Sequence, residues 1–301
     1  MQPTLVRGSM RYFRIPADTR IRAHVYGYGL VNPPCSAGFP EPNGTLEKQV
    51  ILPDGHSEIV FKLKGDFTRH SLHSDADESR VSGSYVIGGR SQSIVTRNLS
   101  ELRLVCIKMN PRFLHALIQT SLADFRDGTI SLKDLNSARL SDLEDAVANA
   151  KSPEQIQRCL DAFFLRRLAT LDPAPSVVDA LVQRINASHA NLSIMQFART
   201  ARLDPRTLER RFIAAMGMTP REYARIVRFK RAYGRWLFGD ARSKTLKTHL
   251  EGYYDQSHFD REFMHFLGDR PRQRESGRPT LVSVVSDHLL EGEEEAQRQQ
   301  A

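Results

Sequence analysis

The sequence predicts an α+β chain: a β-rich N-terminal domain, sandwich or barrel, followed by an all-α domain built from two helix-turn-helix units. Three observations predict it. Roughly the first 130 residues read as short extended runs between turn signals. Helical spacing takes over after Pro111. The last hundred or so residues carry one pattern twice: a capped amphipathic helix, a tight turn, and a second helix whose exposed face is polar and basic.

In the first part, residues 48–52 form a short apolar run, Pro53, Asp54 and Gly55 give a turn signal, and residues 58–63 resume an extended pattern. Together these read as a hairpin. Tyr85, Val86 and Ile87 end at Gly88 and Gly89, and Leu102, Leu104 and Cys106 alternate with polar neighbours, as in a half-buried strand. This domain is set at residues 10–135, because residues 5–10 resemble a vector-derived leader, with Met10 as the natural start.

Phe113, Leu114, Leu117 and Ile118 then share a helix face, as do Leu140, Leu143 and Val147. Ser152, Pro153, Glu154 and Gln155 read as a capping box that launches a helix presenting Ile156, Leu160, Phe163, Phe164 and Leu168. That stripe fits a core face or a dimer seam equally well, so residues 136–175 are assigned to a helical dimerisation and linker segment. Asp172, Pro173, Ala174 and Pro175 make a stiff break at its end. Residues 279–301, with Glu291, Glu293, Glu294, Glu295 and a Gln-rich finish, read as a solvated, disordered tail.

A chain of 301 residues with 40% apolar content has room for about two domains. It has no apolar signal region and no run near the roughly twenty apolar residues that span a bilayer, so the expected location is the cytoplasm, away from membranes. Cys35, Cys106 and Cys159 are odd in number and widely spaced, which points to reduced thiols rather than to disulfides or a zinc module. The net charge of +8 is uneven: residues 176–278 hold 20 Lys and Arg against 11 Asp and Glu, and the rest of the chain is close to neutral. Basic charge gathered in one segment is the footprint of a polyanion binder, since neutralised phosphates release counterions.

Within that segment, residues 176–278, the first unit is punctuated almost residue by residue. Ser176 caps a helix carrying Val178, Leu181, Val182 and Ile185 inward, and Ser193 with Gln196 caps the next. Asp204 and Pro205 open a third helix in which Leu208 and Phe212 pack inward, and Gly217 closes it. With those two residues buried, Arg206, Glu209 and Arg210 point outward near the helix N-terminus, where a helix-turn-helix reads base edges. Arginine donates twice to guanine and glutamate accepts from the cytosine amino group.

Thr219, Pro220 and Glu222 box the start of a long helix with Tyr223, Ile226, Val227, Tyr233 and Leu237 on its apolar side. It would hold two recognition helices on one side of double-stranded DNA, about 34 Å apart. Arg225, Arg228, Lys230 and Arg231 along it suit phosphates better than bases. In the second unit Phe259, Phe263 and Phe266 mark the buried side of a helix, leaving Gln256, Ser257, Asp260 and Arg261 outward.

Residues 203–212, then 217–223, and later Gly252, Tyr253, Tyr254, Asp255, Gln256, Ser257, His258 and Phe259 resemble the AraC/XylS family of bacterial transcription regulators. The resemblance covers about residues 176–275. It implies base-facing positions at Arg206, Glu209 and Arg210 in the first unit and at Gln256, Ser257, Asp260 and Arg261 in the second. It also implies a promoter DNA partner, a homodimer, a link to RNA polymerase, and a cupin-like N-terminal domain that senses a small effector. Residues 11–16 and 53–61 are similar, more weakly, to such a sensor domain.

The pattern departs from the family in three places. Arg202 stands where glycine usually makes the first turn. Leu246 and Leu250 are one residue out of register in the second unit's scaffold helix. Gly268, Asp269, Arg270 and Pro271 lack the usual hydrophobic and tyrosine close. The first reading head therefore carries more of the expectation than the second.

The remaining motifs are weaker. His70, His73, Asp75 and Asp77 lie in a polar, turn-like stretch without metal spacing, and no metal or cofactor is expected. Arg7 and Arg11, with Asp77, Ser79 and Gly83 downstream, loosely resemble the arginine pair that holds cyclic di-GMP in PilZ-like sites, though the downstream spacing is one residue off. They are the candidate effector-binding residues of one alternative, a cyclic di-GMP-responsive regulator. A second alternative is an architectural DNA binder with no effector. No nucleophile elbow, zinc-protease motif or phosphate loop occurs, so an enzyme is not expected.

Overall fold

In a computed structural model the described residues are 5–7, 10–32, 48–171, 176–188, 192–238 and 252–271. The N-terminal part is a sandwich of two antiparallel sheets. The larger sheet runs in the order β1 (Leu5–Arg7), β2 (Met10–Ile15), β3 (Val25–Val31), β10 (Arg103–Met109), β5 (Ser57–Lys64), β8 (Tyr85–Ile87), β11 (Thr129–Ser131). The smaller runs β4 (Lys48–Ile51), β9 (Ile94–Asn98), β6 (Phe67–Ser71), β7 (Ser74–Arg80).

Alternation decides what each face covers. Val31, Val60, Tyr85 and Ile87 of the large sheet are buried with Phe67 of the small one, between the sheets. Their neighbours Leu30, Ile59, Phe61 and Val86 are buried on the opposite face, in a cluster with three helices. Those helices are α1 (Pro111–Ile118), α2 (Ala138–Asn149) and α3 (Pro153–Leu171). Strand β5 is therefore covered on both sides, which explains its continuous apolar run.

Two expectations change here. Residues 48–63 are not a hairpin: β4 pairs with β9 in one sheet, and β5 pairs with β10 and β8 in the other. The turn between them carries the chain across the sandwich, with buried Asp54 accepting from Lys108 Nζ at 2.5 Å and from the His56 amide at 3.0 Å. Second, α2 and α3 share their core with the large sheet. Ile156, Leu160, Phe163 and Phe164 are buried against it, so the stripe packs within its own domain, not in a dimer seam. Asp161 of α3 accepts from Tyr28 Oη at 2.7 Å and from the Asp18 amide at 3.0 Å, fixing the helix to the strands.

The second part is all-helical: α4 (Val177–Ala187), α5 (Ile194–Thr200), α6 (Pro205–Met216), α7 (Pro220–Phe238) and α8 (Gln256–Leu267). The caps follow the sequence reading. Ser176 and Asp179 form a reciprocal box on α4, and Thr219 and Glu222 form one on α7. Asp204 accepts from the amides of Arg206 and Thr207, and Gly217 ends α6 in the left-handed region at φ 71°. On α5 only the serine half forms, Ser193 accepting from the Gln196 amide. On α3, Ser152 accepts from the Gln155 amide while Gln155 Oε1 takes the Lys151 amide in place of the Ser152 amide. The break at residues 172–175, the out-of-register Leu246 and Leu250, Cys35 and the tail at 279–301 lie outside the described residues.

Candidate nucleic-acid interface

The first candidate recognition helix is placed as its periodicity demands. Leu208 and Phe212 of α6 are fully buried, Phe212 lying edge-on to Tyr223 at 5.9 Å, while Arg206, Glu209 and Arg210 are exposed. The turn before α6 passes through Arg202 at φ 53°, the left-handed conformation that glycine would take without strain.

In the second unit, α8 buries Phe259, Phe263, Phe266 and Leu267. Ser257 and Arg261 are exposed and Gln256 and Asp260 half-buried, with Gln256 Nε2 donating to Asp260 Oδ1 at 2.7 Å. Asp255 caps α8 by accepting from the His258 amide.

Four basic residues of α7, Arg225, Arg228, Lys230 and Arg231, interact with groups inside the protein. Arg225 Nε and Arg228 Nη2 each donate to Glu262 Oε1 at 3.0 Å, and Tyr253 Oη donates to Glu262 Oε2 at 2.5 Å. Arg231 donates to the Asn186 carbonyl at 2.7 Å, and Lys230 lies near enough to half-buried His56 to disfavour its protonation. In this arrangement Arg225 and Arg228 brace α7 against α8, because a buried carboxylate must be neutralised. Burial and Glu262 push the Tyr253 hydroxyl well above its ordinary value.

Glu262 is the residue that sequence reading missed. It sits four positions beyond His258 among the phenylalanines of α8, and an acid on an apolar face signals a buried ion pair. Phe229 was missed as well: it stacks on Phe266 at 4.5 Å and completes the apolar side of α7.

The two domains are docked on each other. Val50, Leu52 and Val95 of the small sheet are buried in the same cluster as Phe212, Tyr223 and Phe263. Around that patch, two arginines of the N-terminal domain meet the capping-box acids: Arg112 pairs with Asp179 at 2.9 Å and Arg126 pairs with Glu222. Ser93 Oγ donates to the Phe266 carbonyl at 2.5 Å, and His73 Nε2 to the His265 carbonyl at 2.7 Å. Burial, Arg225 and His73 lower the His265 pKa.

Backbone meets backbone at one point. A Cβ placed on Gly89 would lie 1.9 Å from the Met216 carbonyl oxygen, and one on Gly217 would lie 2.8 Å from the Gly89 nitrogen and 3.1 Å from the Leu122 oxygen. A 3-10 turn (Leu122–Phe125) thereby stands beside α6. Its Ser121 and Ala123 side shares a groove with Arg206, Glu209, Arg210 and Ile213.

A buried charged cluster lies close by. Burial alone would raise the Asp54 carboxyl, but Lys108, His56 and Arg90 hold it well below the ordinary carboxylate range. Burial, with help from Lys230 and Lys108, lowers His56.

Of the weaker motifs, His70 lies on β6, and no group of three or more metal-ligating side chains occurs among the described residues. Arg7 and Arg11 lie on β1 and β2, where the register pairs Arg7 with Met10 and Arg11 with Val6, so the two are not cross-strand partners. No helix of the described residues is long and apolar enough to cross a membrane.

A helix-turn-helix domain model matches residues 185–275, and a model of a domain of unknown function matches residues 37–131. No curated protein matches the chain. Among solved structures it is similar to ToxT from Vibrio cholerae O395, at 12% identity over 76% of this chain and 93% of that one, with a TM-score of 0.43. It is also similar to the AraC-like transcriptional activator CuxR, at 12% identity over 82% of this chain and 90% of that one, TM-score 0.31. A third is the Cnp3 cupin domain of Schizosaccharomyces pombe, at 11% identity over 37% of this chain and 68% of that one, TM-score 0.24. Residues 185–275 thus form a helix-turn-helix domain of the AraC type.

Proposed function

We propose that the protein binds promoter DNA sequence-specifically, reading one major groove with Arg206, Glu209 and Arg210 and the adjacent one with Gln256, Ser257, Asp260 and Arg261. The observation that carries this is the exposure of Arg206, Glu209 and Arg210 on a helix whose opposite face is anchored by fully buried Leu208 and Phe212. A rigid helix with free guanidinium groups near its N-terminus suits bidentate contact with guanine. The first head dominates, because Gln256 and Asp260 already hydrogen-bond each other. The protein acts as a homodimer that works with RNA polymerase, and a small effector at the N-terminal domain sets its DNA affinity.

Regulation by the N-terminal domain is supported by the docking. The 3-10 turn beside α6 shares a groove with Arg206, Glu209 and Arg210, so on this reading full engagement of the first head requires the domains to separate. Fluorescence anisotropy on a selected fragment and on random DNA, at one stated salt concentration, tests the reading. Arg210→Ala is expected to lose about 1–3 kcal/mol on the selected fragment and little on random DNA. Equal losses on both would remove the base-reading role.

A further inference from the structure

The sandwich leaves one side open. Strand β11 is the last strand of the large sheet and β7 the last of the small one, and the two do not pair with each other. Between them lies a cavity of about 510 Å³. Its walls supply hydroxyls from Ser71, Ser79, Thr129 and Ser131 and the guanidinium of Arg69.

Arg69 is the unusual member. It is half-buried, its Nη1 is fully shielded and has no hydrogen-bond partner, and no carboxylate lies within ion-pair distance of it among the described residues. Its charged neighbour is another cation, Arg90, which is already committed to Glu58 at 3.6 Å. The neighbouring Arg80 is likewise spent, on Asp66 at 2.6 Å. Of the cavity's acids, Asp127 is saturated by the Ser91 amide and hydroxyl and by the Gln92 amide, and Asp134 is exposed. Shielding a guanidinium without a counter-charge is costly, and a cavity with that group in its wall gives an anion the place of the missing partner.

We infer that this cavity is a binding site for a small organic anion, whose carboxylate or phosphate is held by Arg69 and whose polar remainder is held by the surrounding hydroxyls. The wall of the site is also the docking surface. Ser93 lines the cavity and donates to the Phe266 carbonyl of α8, and Asp127 lines it next to Arg126, which pairs with Glu222 of α7. Occupancy therefore reaches the DNA-binding domain through segments that touch both. This rests on the effector reading above and gives that effector a class and an address.

Calorimetric titration of the full chain with lactate, inorganic phosphate and glycerol 3-phosphate, with glycerol as the uncharged control, tests the site. At least one anion is expected to bind once per chain and glycerol not at all. Arg69→Gln should weaken that binding at least tenfold, and Arg69→Lys should restore part of it. Ser79→Asp, at an exposed position of β7 directly opposite Arg69 in the strand register, should weaken it similarly by charge repulsion, which covers the case in which Arg69→Gln does not fold.

No binding of any of the three anions, or equal binding by wild type and Ser79→Asp, would overturn the site while leaving effector control open to another ligand. Anion binding that fails to change DNA affinity would keep the site and remove the effector reading. Where both hold, the coupling should fall in the usual range of roughly 5–150-fold.

Discussion

Gly89→Ala isolates the docking from everything else in the molecule. The added methyl would sit 1.9 Å from the Met216 carbonyl oxygen, 3.0 Å from the Met216 carbonyl carbon and 2.9 Å from Met218 Cε. Ordinary carbon contacts need about 3.5 Å, so the gap must open by more than an ångström. Only the methionine tip can rotate aside, because the other two atoms are backbone at the closing turn of α6. All three belong to the DNA-binding domain, so the cost falls on docking and not on the fold of the sandwich. Overpacking of this kind costs about 1–3 kcal/mol, which is roughly 5- to 150-fold in the docking equilibrium. If docking hinders the first head, the released population should bind a selected DNA fragment more tightly by up to that factor, measured by anisotropy at fixed salt. A folded Gly89→Ala protein with unchanged or weaker DNA binding would refute the argument.

Three further outcomes follow from the same geometry. Glu262→Ala removes the shared acceptor of Arg225, Arg228 and Tyr253 and should cost about 2–3 kcal/mol, after discounting for the exposure of Arg225, whose side chain is 38% accessible. Urea unfolding followed by the single tryptophan, Trp236, reports it directly, since its ring lies 4.9 Å from Phe263. Arg202→Gly relieves the left-handed turn at φ 53° and should gain up to about 1 kcal/mol in thermal melts, while leaving base preference unaltered. Acid should undock the domains. His56 and His265 have pKa values lowered from 6.5, so the unfolded or undocked state binds more protons; stability is full above about 6.5 and is lost as pH falls through the lowered values. Thermal melts from pH 8 to pH 5 should show that slope, and it should flatten in His56→Gln.

Local chemistry was legible in the sequence wherever a residue acts on its own neighbours. Asp204, Pro205 and Gly217 bound α6 because capping and left-handed closure are decided within one turn of chain. The outward set Arg206, Glu209 and Arg210 followed from Leu208 and Phe212 by helical periodicity alone. What the sequence hid is long-range. Residues 48–63 look like a hairpin because a turn signal does not say whether the flanking strands pair with each other or with distant ones. The partners of Arg112 and Arg126 are acids already used as helix caps, a second use that no local pattern announces. Arg69 stood in a polar stretch and drew no attention, since its lack of a counter-charge is a property of the folded cavity.

The central claim, that α6 reads bases, is tested most directly by sequencing the DNA fragments that the purified wild type and Arg206→Ala and Arg210→Ala variants select from a random pool. The account predicts that the wild type selects one motif and that each variant loses preference at one or two adjacent positions while keeping the rest. The same motif selected by all three proteins would contradict it.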